Sequence, residues 1–159
     1  MKDQRRYWDT SCFLAWLKNE QDKVGNCTGI IQACEDGQLK LMTSTLTLVE
    51  VLYLNFKDKI PKTESDKIRA FFENDYIVTI PLDRMIAEKA QDLVWDFGVK
   101  PKDAVHVASA LFAGTRIFDT FDDELSKSFN QKIGEPTIYM GKPSHSYQLK
   151  IDEKKDAEK

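Results

Sequence analysis

The chain has 159 residues and a formal net charge of −3, from 26 acidic and 23 basic side chains. That length fits one domain of roughly 100–200 residues, and the near balance of charge excludes a global field able to hold a polyanion such as RNA. The cysteines, Cys12, Cys27 and Cys34, are odd in number and lack Cys-x-x-Cys spacing, which argues against a disulfide framework or a zinc knuckle and fits a reducing, cytoplasmic setting.

Arg5 and Arg6 stand near the amino terminus, but Asp9 and Lys18 interrupt the apolar run that follows. Neither a signal peptide nor a membrane span is expected there. Arg6–Trp8 reads as a short inner strand leading through Asp9-Thr10-Ser11 into the apolar segment Cys12–Leu17. Taken alone, Asp9, Thr10 or Ser11 would serve equally as a helix cap. A second amphipathic helix is expected over Val24–Glu35, closed by Asp36-Gly37 before a strand at Leu39–Met42. Thr43-Ser44-Thr45 then caps a helix expected over Leu46–Phe56, whose one charged side chain is Glu50. A buried carboxylate there needs a partner, although Glu50 shares a helical face with Thr43, Thr47, Leu54 and Lys57 and so also fits a semi-polar, solvated stripe.

Lys57–Lys67 is a polar connection, and Thr63-Glu64-Ser65-Asp66 caps a helix running through Phe71-Phe72. Tyr76–Ile80 is rich in β-formers and stops at Pro81; Asp83 caps the next helix, Arg84–Phe97, which Gly98 ends. Asp103 opens a buried helix in which Ala104, Ala108 and Leu111 recur at helical spacing. The dipole at that helix start favours an anion at Asp103. After Ala113-Gly114-Thr115, Arg116–Asp119 suits an inner strand and Thr120–Leu125 a new helix start. Pro136–Met140 reads as a last edge strand, because proline starts it. His106 and His145, without a His-Glu-x-x-His pattern, do not indicate a zinc hydrolase, and His106 reads as a packed helix residue.

Strands near residues 6, 39, 76, 116 and 137 alternate with helices, which calls for an α/β fold: a three-layer α/β/α sandwich around a mostly parallel sheet of about five strands. One domain over residues 1–145 is expected, with a charged, flexible tail over 146–159.

There is no Gly-x-Gly-x-x-Gly turn and no Gly-x-x-x-x-Gly-Lys loop to cradle a nucleotide. What remains is Asp9 after the first strand, Glu50 on the helix after the second, Asp103 at a helix start and Asp122 after the fourth strand. Open parallel sheets place their sites at the carboxyl ends of the strands, where three of these acids could meet. Gathered carboxylates repel one another unless a cation neutralises them. Mg2+ or Mn2+ prefers such oxygen ligands and leaves room for water and a phosphate oxygen, so phosphodiester hydrolysis is the chemistry this pattern permits.

The same residues carry a family resemblance. Asp9-Thr10-Ser11 before an apolar helix, Glu50 within Thr47-Leu48-Val49-Glu50-Val51, Asp103-Ala104 with Ala108 and Ala110, and Thr120-x-Asp122-x-x-Leu125 together resemble a PIN-domain ribonuclease. The resemblance spans nearly the whole chain and implies a Mg2+- or Mn2+-dependent endoribonuclease. It implies Asp9, Glu50, Asp103 and Asp122 as the acidic cluster, with Ser11 and Thr120 as supporting hydroxyls and Asp119 or Asp123 as alternates for the fourth acid. Many such proteins are VapC-type toxins, which implies an RNA substrate, a cognate antitoxin and a homodimer. Two other readings share the fold: a non-catalytic module that binds RNA or a protein through its acidic pocket, and a receiver-like phosphoacceptor. The second of these lacks a strand-end lysine late in the chain.

Overall fold

The computed structural model describes residues 4–53 and 58–144. The expected tail, 146–159, and the last turn of the helix expected to reach Phe56 lie outside the described residues. The elements are β1 (Gln4–Trp8), α1 (Thr10–Leu17), α2 (Val24–Glu35), β2 (Leu39–Ser44), α3 (Thr45–Glu50) and α4 (Ser65–Phe72). Then follow β3 (Ile77–Ile80), α5 (Arg84–Phe97), α6 (Pro101–Ala113), β4 (Ile117–Asp119), α7 (Asp123–Ser128), β5 (Lys132–Ile133) and β6 (Ile138–Gly141).

The sheet has six strands in the order β3-β2-β1-β4-β6-β5, parallel throughout except for the antiparallel β5–β6 pair. The α/β class and its parallel core agree with the sequence reading, but two details differ. β5, two residues long and too short to leave a periodic signal, raises the strand count above the five expected. It also covers the outer side of β6, which is therefore an inner strand and not an edge. Pro136 precedes β6 in the connecting turn, so its missing N–H takes nothing from the ladder.

Alternation along the strands builds two cores. Tyr7, Met42 and Phe118 pack with Ala104, Val107 and Ala108 of α6 and with Ile86, Ala90 and Leu93 of α5. Trp8 and Leu41 face the other way, onto Phe13, Ile30, Ile31 and Phe72. The expected caps form: Asp83 accepts from the Ile86 N–H at 3.0 Å, and Gly98 and Gly114 end α5 and α6 with φ of 67° and 66°. A side chain with a Cβ resists that left-handed conformation. α3 is shorter than expected and gives way to a turn at Val51-Leu52. Its Thr and Val residues are weak helix formers, and Val49 is 65 % exposed, so packing does not extend it.

β1 sits where the strand order reverses, between β2 and β4, and its end is locked to β4 by a buried ion pair. Arg6 Nε and Nη2 each donate to Asp119 at 2.8 Å, and the Trp8 indole N–H donates to Asp119 Oδ2 at 2.9 Å. Burial alone would lower the Arg6 pKa, yet the charge and hydrogen bonds of Asp119, with smaller contributions from Cys12 and Cys34, together outweigh it and hold the guanidinium protonated. Arg6 Nη1 has no hydrogen-bond partner among the described residues. Removing one partner of such a pair leaves a bare buried charge. Asp119→Ala should therefore cost about 3–5 kcal/mol in urea unfolding, while Arg6→Met combined with Asp119→Leu should lose far less. Equal losses in the two variants would contradict this assignment of the pair.

Candidate active site

The four candidate carboxylates all lie at the carboxyl edge of the sheet. Asp9 follows β1 directly and caps α1. Asp122 follows β4 and caps α7, accepting from the Leu125 N–H at 3.1 Å. Glu50 closes α3, which springs from the end of β2. α6 runs back to feed β4, so its first turn, with Asp103, returns to the same edge.

Asp9 is held on both oxygens. Ser11 Oγ donates to Oδ1 and Thr120 Oγ1 to Oδ2, each at 2.5 Å, and the Cys12 N–H reaches Oδ1 at 3.4 Å. The same two hydroxyls accept the N–H groups of Phe121 and Asp122, each at 3.0 Å. Asp9 thereby clamps the β4–α7 turn against the end of β1. Burial nevertheless raises its pKa, against the opposing effects of His106, Ser11 and Thr120.

Asp103 is half-buried and its pKa is also raised, first by burial and then by the charges of Asp122 and Asp9, with His106 and Lys100 opposing. The charges of Asp9 and Asp122 thus both reach Asp103. Glu50 behaves differently. Burial pushes its pKa up, but the hydrogen bond and charge of His106 and the Thr10 hydroxyl outweigh that and leave it lowered. Its Oε1 accepts from Thr10 Oγ1 at 2.9 Å and from His106 Nε2 at 2.7 Å.

Two acids stand apart. Asp119 has both oxygens engaged by Arg6 and Trp8 inside the sheet and is buried there. Asp123 is exposed in the first turn of α7, where it complements the helix dipole. Sequence reasoning missed His106, Thr10 and Tyr7 as neighbours of the cluster. His106 is packed, as expected, with 3 % exposure, but its polar edge is turned to Glu50. The one signal that could have found it is its spacing, three residues beyond Asp103 and thus on the same helical face.

The donors suit a hard divalent cation. Asp9, Asp103 and Asp122 offer only oxygen; burial raises the proton affinity of Asp9, and burial with the charges of Asp122 and Asp9 raises that of Asp103. Among the described residues no three His, Cys, Asp or Glu side chains are grouped tightly enough to hold an ion by themselves. Mg2+ commonly takes one or two carboxylates and keeps several waters, so the set fits that cation in a water-rich sphere. Thiolate chemistry is disfavoured. Burial pushes the Cys27 and Cys34 thiols up to about 12, and Cys12 is also raised well above its ordinary value.

A parallel sheet with its acids collected at one carboxyl edge defines the architectural class. The sequence model of the PIN domain matches residues 6–128, and the chain belongs to that family, whose members are nucleases. Among solved structures, the VapC20 toxin of Mycobacterium tuberculosis, described as cleaving the sarcin–ricin loop, is similar with a TM-score of 0.62 and 17 % identity. The likeness covers 77 % of this chain and 94 % of that one. VapBC2 of Rickettsia felis, solved bound to a DNA fragment from its promoter, is similar with a TM-score of 0.61 and 12 % identity, over 86 % and 97 % of the two chains. At such identities these likenesses concern the fold. No curated protein matches the chain.

Because the folded-state pKa of Asp103 lies above its ordinary 3.8, its ionised form destabilises the fold. That cost grows as pH rises through the raised pKa and vanishes below the ordinary value. In metal-free buffer at pH 7, Asp103→Asn should melt no lower than the wild type, with the difference closing as pH falls into the carboxylate range. A variant that melts lower at pH 7 would show that Asp103 is stabilised and not crowded.

Proposed function

We propose that the protein is a metal-dependent endoribonuclease that hydrolyses RNA phosphodiester bonds with Mg2+ or Mn2+. The observation that carries this reading is the delivery of Asp9, Glu50, Asp103 and Asp122 to one sheet edge in a PIN-family chain. Asp9, Asp103 and Asp122 would hold the cation, with Glu50 contributing from α3. When bound, the ion supplies a Lewis acid for the phosphoryl oxygen and lowers the pKa of a bound water. The chain supplies the placement. Ser11 and Thr120 fix the rotamer of Asp9, the α7 cap fixes Asp122, and His106 with Thr10 fixes Glu50. The likeness to VapC20 and VapBC2 supports a toxin role with a cognate antitoxin as partner, and a homodimer is the oligomeric state that goes with this reading. The buried free cysteines suit a cytoplasmic setting. No helix among the described residues is long and apolar enough to cross a membrane.

Purified protein should cut RNA with Mn2+ or Mg2+ and stop with chelator. Ion catalysis is worth several kcal/mol and each 1.36 kcal/mol is tenfold, so Asp9→Asn and Asp103→Asn should each lose at least about a hundredfold in rate. Cleavage unchanged in either variant would overturn the assignment. A second reading, a non-catalytic module that binds RNA or a protein through its acidic edge, draws on the loose spacing of the ligand groups. It would be upheld by RNA binding without turnover.

A further inference from the structure

One polar chain at this edge is longer than ligand placement alone requires. It starts at the backbone of α3's cap residue, passes through two buried rings and ends on Glu50. The Ser44 N–H donates to Tyr7 Oη at 3.0 Å. Tyr7 Oη lies 2.8 Å from His106 Nδ1, and His106 Nε2 lies 2.7 Å from Glu50 Oε1. Tyr7 is fully buried, stacked on Phe118 with ring centroids 5.0 Å apart, and burial raises its pKa, so it keeps its hydroxyl hydrogen. With the phenol oxygen already accepting from Ser44, that hydrogen is free to point at Nδ1. An accepting Nδ1 places the ring hydrogen on Nε2, where it faces the Glu50 carboxylate.

We propose that His106 is a positioning residue for Glu50: Tyr7 and Ser44 orient its imidazole so that Nε2–H occupies Glu50 Oε1 and leaves Oε2 as the oxygen offered to a cation. This deepens the nuclease reading and rests on it. Thr10 adds a second donor to Oε1 at 2.9 Å, so that oxygen is saturated, while Oε2 has no partner among the described residues. The arrangement follows a general pattern in which an outer hydrogen-bond partner fixes the orientation of a ligating group. α6 carries both Asp103 and the residue that orients Glu50, so one helix presents one carboxylate and aligns another that α3 supplies.

The test has two parts, both on the full chain. Side-chain 15N NMR of the metal-free wild type, with His106 assigned by comparison with His106→Gln, should show a hydrogen on Nε2, and Tyr7→Phe should change the signal of Nδ1. A wild-type ring with no hydrogen on Nε2 overturns the proposal. Mn2+ affinity, measured by calorimetry, should fall about 10–100-fold in His106→Leu, the usual cost of removing such a partner. His106→Gln, whose amide can replace the Nε2–H donor, should stay within a few-fold of the wild type. A folded His106→Leu that binds Mn2+ like the wild type overturns this inference alone, provided the wild type binds Mn2+ and cuts RNA. A wild type that does neither overturns the nuclease reading and the positioning role together.

Discussion

The ends of β1 and β4 are joined by charge as well as by the backbone ladder. Arg6 grips both oxygens of Asp119 from the neighbouring strand, and Trp8 adds its indole N–H to the same carboxylate. Trp8 and Asp119 are also partners in the parallel register, so the next residues, Asp9 and Thr120, emerge side by side. A slip of one residue would exchange the faces of every side chain on the strand. It would also carry Asp119 away from the buried Arg6 guanidinium. The Asp9–Thr120 hydrogen bond, the clamp on the β4–α7 turn and the position of Asp122 all depend on that register.

Around this frame the acids are treated unequally. Asp9 resists ionisation through burial and the half-buried Asp103 through burial and the nearby Asp122 and Asp9 charges, whereas Glu50 is held ionised by donors from α1 and α6. Hydrogen bonds from Ser11 and Thr120 soften the burial of Asp9 without cancelling it. The protein thus spends stability to keep negative charge at a partly open edge. A divalent cation would offset that cost, and a ligand that binds only the native state stabilises it by mass action.

Much of the fold was legible because its cues are local. Asp83, Ser44, Gly98 and Gly114 mark helix ends by their own chemistry, and runs such as Ile77–Ile80 carry β-formers wherever they pair. The order of strands was not legible, because β6 and β5 pair through contacts that no short window contains. α3 shows the same limit from the other side: an apolar run reads as a long helix until packing, or its lack, decides where it stops. At the site, Asp9, Asp103 and Asp122 could be picked out by their places at element ends. Asp119, written in the same acidic turn, could be separated from them only once Arg6 was seen across 113 residues of sequence. His106 was hidden for a similar reason, since its partners Glu50 and Tyr7 come from other elements.

The central claim is that Asp9, Glu50, Asp103 and Asp122 frame one space fit for a hard cation beside a phosphate. Anomalous diffraction from a crystal soaked in millimolar Mn2+ examines it most directly. The account predicts a peak at the carboxyl edge between β1 and β4, with oxygens of Asp9, Asp103 or Asp122 at coordination distance and waters completing the sphere. An ordered edge with no peak, or Mn2+ bound only elsewhere on the surface, would contradict it.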